Sequence, residues 1–226
     1  NEIGIKRFKI PSGEITNLPY LRAISEFQKP VIISTGMSEM FEIEDALKVF
    51  LNKGYSKQNI SILHCTTQYP TAPDEVNLNA MITISKEFKT KVGYSDHTEG
   101  IDIAIAAVAL GAKVIEKHLT LNRNFIGPDH QASIEPRQLK AMIDSIRKIE
   151  KATGNGIKTP TKSEKEIKKL VRKSIVANKN IKEGEQFTVE NLIVKRPGTG
   201  ISPMLWDKVI GKISNKNYFE DDIIDL

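Results

Sequence analysis

The chain of 226 residues is 39% hydrophobic and 27% charged, with 14 glycines and 10 prolines, which is typical of a globular protein and excludes disordered, collagen-like and coiled-coil chains. The longest apolar run, residues 103–110, is too short to cross a bilayer, and the first residues do not resemble a signal peptide. We therefore expect a cytoplasmic protein without a membrane partner. Because position 1 is not Met, a fragment is also expected.

The net charge of +5 is concentrated in residues 137–173, which hold 12 basic and 4 acidic side chains. Such a stretch can bind nucleic acid, but no aromatic residues for base stacking interleave with its lysines. We interpret it as a solvated helix face and a basic linker, with no nucleic acid partner. Cys65 is the sole cysteine, so an intrachain disulfide is excluded, and a buried packing role is favoured over a nucleophile.

Short β-rich runs alternate with helical patterns every 20–30 residues or so, roughly the length of a βα unit. Strands are predicted at residues 8–10, 31–34, 60–64, 92–95 and 114–118, and helices at residues 18–27, 43–51, 77–88 and 101–110. Such alternation predicts a parallel sheet. A closed barrel needs about 250 residues and eight strands. The residues alone therefore leave half a barrel and an open sheet as alternatives.

The regular alternation of strands and helices ends in the second half of the chain. A longer helix is predicted from Glu135 to Gly154, and residues 155–162 are expected to form a linker. Ser163 and Glu166 have the spacing of a capping box that begins a short helix. Short strands at 174–177 and 192–195 then lie among turns. The predicted organisation is a larger domain at residues 1–153, a linker with a short helix at 154–172, and a small loop-rich domain at 173–226.

All four histidines lie at or just after a predicted strand end or in the following loop, which favours a polar site at one rim of the sheet: His64, His97, His118 and His130. His97 and His118 can meet only if neighbouring parallel strands bring their ends together. Two imidazoles leave the other coordination positions of a divalent ion open, which suits an ion that also binds substrate or water. Spacing alone supports a purely hydrogen-bonded site equally well.

Residues next to these histidines have expected orientations. Glu116 points to the same face as His118, whereas Lys117 points the other way and is expected to pack outward. Asp96 is a candidate to orient a histidine. Asp129, in the loop at 127–130, is placed to close over the rim.

A lysine and several hydroxyls lie at successive strand ends, where they can hold a phosphate or a carboxylate: Lys9, Ser12, Ser34 and Ser95. Helix capping explains a strand-end hydroxyl equally well. Lys9 differs, because an inward lysine on a buried strand needs an anionic partner.

Eight short motifs occur in a fixed order, at residues 8–14, 34–37, 64–70, 93–98, 116–118, 127–130, 173–175 and 195–201. Together they closely resemble the N-acetylneuraminate (sialic acid) synthase family over essentially the whole chain. The resemblance implies a (β/α)₈ TIM barrel, here N-terminally truncated with about five of eight strands, followed by a small antifreeze-like SAF domain. A partial barrel exposes two strand edges, so residues 1–226 are expected to be unstable or inactive alone.

The resemblance also implies a reaction, in which a transferase condenses phosphoenolpyruvate with N-acetylmannosamine and water to give N-acetylneuraminate and phosphate by C–O cleavage. It implies that His97 and His118 are ligands of Mn²⁺ or Mg²⁺, and that Glu116 and Lys9 are catalytic. It further implies substrate contacts for Lys9, Ser12, Ser34, Thr67, Tyr69, Ser95, Asp129 and Arg196. Arg196 would reach the sugar from the small domain of the other subunit of a domain-swapped homodimer.

Three alternatives remain open from the sequence. A sister synthase would use another hexose, such as a 2,4-diacetamido sugar, to make legionaminic acid or a different nonulosonic acid. An inactive fragment would act as a carbohydrate-binding module. A metal-dependent aldolase would release no phosphate.

Overall fold

Five short strands form one parallel sheet with the order β1–β2–β3–β4–β5. In the computed structural model, which describes residues 4–226, they span Phe8–Ile10 (β1), Val31–Ser34 (β2), Ile60–His64 (β3), Lys91–Asp96 (β4) and Ile115–Lys117 (β5). Each strand pairs with the next one along the chain. An open doubly wound sheet reverses its strand order at a switch point, whereas this order is unbroken, as in a barrel.

Helices separate the strands, at Leu18–Ser25 (α1), Met40–Asn52 (α2), Leu78–Phe88 (α3) and Asp102–Ala109 (α4), and Pro136–Thr153 (α5) follows β5. The start of α5 agrees with the prediction, because Glu135 and Gln138 form a capping box and Pro136 occupies the first turn. Gly154, at φ 63°, ends this helix. Within residues 4–226, no helix combines the length and the apolar character needed to cross a membrane.

The two faces of the sheet differ in chemistry. The face toward the helices carries buried apolar side chains, including Ile10, Ile33, Ile62 and Tyr94. Because successive strand residues alternate between faces, the opposite face carries Lys9, Ser34, Ser95 and Glu116. The polar residues of the predicted site therefore share one face.

The first and last strands of the sheet approach each other on this polar face. Lys9 on β1 places its Nζ 3.2 Å from Oε1 of Glu116 on β5. Neighbouring strands lie about 4.8 Å apart, so a flat five-stranded sheet would separate β1 from β5 by roughly 19 Å. The sheet is therefore strongly curved, with its polar face inside, as in part of a (β/α)₈ barrel.

The chain divides into two compact units, Asn1–Gly156 and Ile157–Leu226. The second unit contains the helix Lys162–Val171 (α6), the antiparallel strands Ser174–Ala177 (β6) and Leu192–Lys195 (β7), and the short helix Trp206–Val209 (α7). Its core is a separate cluster of apolar side chains built around Ile175, Phe187 and Tyr218.

Helix α6 begins earlier than its predicted capping box. Thr161 caps the helix by accepting a hydrogen bond from the Glu164 backbone N–H, and Glu164 accepts one from the Thr161 N–H at 2.7 Å. The predicted pair, Ser163 and Glu166, is therefore wrong as the cap. Both pairs have the required spacing, and the helix forms at the first of them.

Candidate active site

Glu116 joins the two halves of the polar face. Its Oε1 accepts a hydrogen bond from the Ser95 hydroxyl at 2.8 Å and lies 3.2 Å from Lys9 Nζ. The side chains of Lys9 and Glu116 are 32% and 41% exposed, so both remain reachable from solvent. Lys9 thus has a carboxylate partner, and its ammonium group stays available to an additional anion.

His97 is held in one tautomer by the backbone. Its Nδ1 donates a hydrogen bond to the Thr66 carbonyl at 2.7 Å, which leaves the lone pair on Nε2. Burial lowers the pKa of His97 below its ordinary value, and the hydrogen bond to Thr66 opposes this shift. Nε2 lies 3.5 Å from Ser95 Oγ, so His97 continues the polar line that begins at Lys9.

His118 and two further predicted residues surround His97. The ring centroids of His97 and His118 are 5.5 Å apart, and the Tyr69 ring lies 4.2 Å from His97 and 5.5 Å from His118. Asp129 Oδ2 is 3.7 Å from His118 Nδ1, which is longer than a hydrogen bond. The structure therefore places Tyr69 and Asp129 beside His97 and His118, the two predicted metal ligands.

The histidine pair fits a divalent cation in its chemistry. A neutral His97 with Nδ1 bonded to a carbonyl is the form in which imidazole binds metals through Nε2. Among residues 4–226, no group of three or more His, Cys, Asp or Glu side chains is arranged to hold an ion. The pair would thus leave most coordination positions to oxygen ligands such as substrate or water.

A second group of predicted residues converges on Gly36. The Gly36 N–H donates to Ser12 Oγ at 2.9 Å, and Ser12 Oγ lies 3.3 Å from Cys65 Sγ. A Cβ on Gly36 would lie 2.1 Å from Thr67 Oγ1. The absence of a side chain at position 36 therefore allows Ser12 and Thr67 to lie at one place.

Ser34, on the same face, has a buried hydroxyl. Its Oγ is shielded from solvent and has no hydrogen-bond partner within the described residues. An unpaired buried hydroxyl is costly. A ligand or water oxygen at this point would satisfy it.

Arg196 lies in the second unit, where its Nε donates to the Val171 carbonyl at 3.1 Å. Its role toward the sugar stays a prediction.

Only two of the four histidines form a common site. His64 is the register partner of Tyr94 on the helix side of the sheet, and its Nε2 donates to the Val76 carbonyl at 2.7 Å. Burial lowers the pKa of His64. His130 bonds Thr120 Oγ1 through Nδ1 at 2.7 Å. The expectation of one rim with four histidines was too broad, because strand alternation turns His64 to the other face.

Asp96 differs from expectation, whereas Lys117 agrees with it. Asp96 bonds Thr98 and Lys117 rather than a histidine, and the Thr66 carbonyl orients His97 instead. Lys117 points away from Glu116 and packs on the outer, helix-facing side, as predicted, and its 2% exposed side chain pairs there with Asp96. The order Asp-His-Thr is typical of a carboxylate that bonds the backbone two residues on, and this signal predicts the Asp96–Thr98 bond.

Known proteins resemble the chain along both units. The sequence matches the NeuB family over residues 1–158 and the SAF domain over residues 172–225. The N,N'-diacetyllegionaminic acid synthase of Campylobacter jejuni is 57% identical over 224 residues, which cover 99% of this chain and 67% of the relative. The human N-acetylneuraminate-9-phosphate synthase is 34% identical, over 100% of this chain and 64% of the relative. The chain thus spans about two thirds of these curated relatives' length.

A solved structure has the same fold. The crystal structure of the N-acetylneuraminic acid (sialic acid) synthetase of Leptospira borgpetersenii in complex with citrate superposes with a TM-score of 0.69 at 37% identity, covering 74% of this chain and 57% of that chain. The predicted family, the partial TIM barrel and the SAF domain are therefore confirmed. The chain belongs to the NeuB family of sialic acid and related nonulosonic acid synthases, with an SAF domain after the barrel strands.

Proposed function

We propose that the protein is a phosphoenolpyruvate-dependent nonulosonic acid synthase, a transferase that joins phosphoenolpyruvate to an N-acylated hexose. One observation carries the proposal: a continuous polar line runs from Lys9 through Glu116 and Ser95 to His97 on the inner face of the curved sheet. A cation for an anionic substrate and a histidine pair for a divalent ion thus face the same space. Family membership supports the same reaction.

The proposed sugar is a 2,4-diacetamido hexose, and the proposed product is a legionaminic acid. Identity to the N,N'-diacetyllegionaminic acid synthase is 57%, against 34% to the N-acetylneuraminate-9-phosphate synthase. This favours the sister-synthase alternative over N-acetylneuraminate, the first expectation from the motifs. The motifs cover features shared by both kinds of enzyme, so they do not separate the two sugars.

Lys9 and the neighbouring hydroxyls are proposed to bind phosphoenolpyruvate. The Lys9 ammonium group would neutralise part of its charge, and Ser12 and Ser34 would donate hydrogen bonds to its oxygens. Ser95, whose hydroxyl proton goes to Glu116, would line the same part of the site. The unpaired buried Ser34 hydroxyl supports this assignment, because a substrate oxygen would give it a partner. Glu116, held by Lys9 and Ser95, would orient the attacking groups.

His97 and His118 are proposed to hold Mn²⁺ or Mg²⁺ near the sugar. When bound, such an ion supplies Lewis-acid polarisation of the sugar aldehyde. The Thr66 carbonyl keeps the Nε2 lone pair of His97 available, and the Tyr69 ring beside both imidazoles would contact the bound sugar. Thr67 and Asp129 would contact the sugar or the phosphate.

The small domain is proposed to complete the site. The proposed boundaries are residues 1–153 for the barrel part, 154–172 for the linker and short helix, and 173–226 for the small domain. Arg196, in the small domain, would reach the acyl group of a sugar bound to the partner subunit of a domain-swapped homodimer. A guanidinium group suits this role because it presents several donors in a fixed plane.

A substrate panel tests the proposal on the full-length protein with Mn²⁺. Phosphoenolpyruvate is offered with a 2,4-diacetamido hexose or with N-acetylmannosamine, and inorganic phosphate is measured. We expect higher kcat/KM for the diacetamido sugar. In ¹⁸O-water, C–O cleavage should put the label in the sugar acid and none in phosphate. Sugar-acid formation from pyruvate without phosphate release would favour the aldolase alternative, and sugar binding without turnover would favour the binding module.

A further inference from the structure

Asp96 and Lys117 form an ion pair on the helix-facing side of the sheet, directly before the two histidines. They are register partners on the parallel strands β4 and β5. The Asp96 side chain is 0% exposed and that of Lys117 is 2% exposed, and Lys117 Nζ lies 2.8 Å from Asp96 Oδ2. Each partner therefore precedes one histidine, His97 or His118, by a single residue.

The same two side chains bracket His97 from both sides. Asp96 Oδ1 accepts hydrogen bonds from the Thr98 N–H at 2.9 Å and from the Thr98 hydroxyl at 2.7 Å. Lys117 Nζ donates a second bond to the Thr98 carbonyl at 2.7 Å. The residues before and after His97 are thus joined to each other and to the residue that precedes His118.

The neighbouring pair of register partners on this face carries no charge and packs in the hydrophobic core. Tyr94 lies opposite Ile115, two residues earlier on each strand. Uncharged side chains could therefore also pack where Asp96 and Lys117 lie. Burying two charges there carries a desolvation penalty that apolar side chains avoid. Unlike apolar contacts, the hydrogen bonds of the ion pair depend on angle as well as distance. They therefore fix the positions of atoms along the two strands, and not only the distance between the strands.

The opposite face carries a matching bond. Ser95 donates to Glu116 at 2.8 Å, one residue before the ion pair on each strand. The ends of β4 and β5 are therefore tied on both faces immediately before the histidines.

We propose that Asp96 and Lys117 are positioning residues, whose buried ion pair sets the distance and orientation of His97 relative to His118 for a shared divalent cation. The inference rests on the proposed function, since it assumes that the pair binds a cation. Asp96 and Lys117 act through the backbone of Thr98 and of the two histidines and do not touch the ion.

The test measures the affinity of full-length protein for Mn²⁺ alone, without substrates, together with the thermal midpoint Tm. The variants are Asp96→Leu, which removes the acceptor of both Thr98 bonds, Lys117→Met and the double variant. Ile62→Val, fully buried on the same face, is the control for stability. Loss of a partner bonded directly to a metal ligand weakens binding by about 10–100-fold. Asp96 and Lys117 act through the backbone, so we expect Kd to rise by the lower end of that range, about tenfold, in each single variant. Ile62→Val should lower Tm and change Kd by less than about twofold.

The double variant separates positioning from stability. It buries no unpaired charge, so its Tm should exceed that of either single variant. Its Kd should stay raised, because the bonds that bracket His97 are gone. Recovery of both Tm and Kd in the double variant would overturn the proposal.

A milder pair of variants covers the case in which the charge variants do not fold. Thr98→Val removes the hydroxyl bond to Asp96, and Thr98→Ser keeps it. We expect Kd to rise in Thr98→Val and to stay at the wild-type value in Thr98→Ser. Equal Kd values in both variants and wild type would overturn the positioning role alone. A wild-type protein that does not bind Mn²⁺ would instead overturn the metal site itself, and the inference with it.

Discussion

Gly36 lies against Thr67 so closely that a Cβ at position 36 would come 2.1 Å from Thr67 Oγ1. The same Cβ would lie 2.9 Å from Ser12 Oγ and 3.1 Å from Cys65 Sγ. Real Cβ atoms do not approach other atoms this closely, so the polar groups converge only because residue 36 has no side chain.

Gly36→Ala should lower the free energy of unfolding by about 1–3 kcal/mol, the usual cost of overpacking, and should also lower activity. Thr67 can retreat only by changing its χ1 rotamer, which is restricted by its branched Cβ. Urea unfolding measures the first effect. Gly13→Ala is the matched control, since a Cβ there has open space and should change stability by less than about 0.5 kcal/mol.

A second variant tests the cause of the Gly36→Ala effect. Gly36→Ala combined with Thr67→Ala removes the shortest clash and should recover part of the lost stability, while the contacts with Ser12 and Cys65 remain. No recovery in the double variant would mean that Thr67 is not the obstructing group.

Lys9 and Glu116 should contribute differently to catalysis. Lys9→Met removes the cation proposed for phosphoenolpyruvate and should lower kcat/KM by about 10²–10³-fold, with a larger rise in KM for phosphoenolpyruvate than for the sugar. Glu116→Gln keeps an acceptor for Ser95 but loses the charge, so we expect it to lower kcat more than either KM. Steady-state kinetics with each substrate varied in turn separates these effects.

The control for Lys9 is Lys48→Met. Lys48 forms exposed ion pairs with Glu44 and Asp45 on α2, and such pairs contribute little. Its kinetic constants should match those of wild type. A Lys9→Met enzyme with an unchanged KM for phosphoenolpyruvate would contradict the proposed anion contact.

The fold was largely predictable because its signals are local. Short apolar runs bounded by polar residues placed all five strands within one residue of their ends, and parallel topology then placed Lys9, Ser95 and Glu116 on one face. The choice between a barrel and an open sheet was not local. It depends on strand order and on the curvature of the sheet, and neither can be predicted from a single segment of the sequence.

Parts of the site depend on contacts between distant segments and could not be predicted. The Asp96–Lys117 pair exists because the register of β4 and β5 places these residues opposite each other. The group that orients His97 is a backbone carbonyl, of Thr66, and backbone atoms carry no sequence signal. His64 misled the prediction because being one residue out of phase along β3 reverses its face.

Arg196→Ala should raise the KM for the sugar far more than the KM for phosphoenolpyruvate, because the guanidinium group is proposed to contact only the acyl group of the sugar. Lys195→Ala is the control, since Lys195, the last residue of β7, forms its ion pair with Asp221 within the small unit. Equal changes in both KM values for Arg196→Ala would count against the contact.

Asp225 should titrate below an ordinary aspartate. The hydrogen bond from Lys216 and then that from Tyr218 hold the pKa of Asp225 below its usual 3.8, and Lys216 Nζ lies 2.8 Å from Asp225 Oδ2. A carboxylate with a lowered folded-state pKa stabilises the folded unit above the unfolded-state pKa. This stabilisation is lost as the pH falls through the folded-state value. The unit should therefore lose stability below about pH 4.

Carboxylate NMR of Asp225 during a pH titration measures this pKa directly. Lys216→Met should raise it more than Tyr218→Phe, because the lysine makes the larger contribution. Lys182→Met, in the same unit, should leave it unchanged. Since Asp225→Asn has no charge to lose, its unfolding midpoint should vary less with pH below about pH 4 than that of wild type. If both proteins show the same acid dependence, other carboxylates govern the acid stability of the small unit.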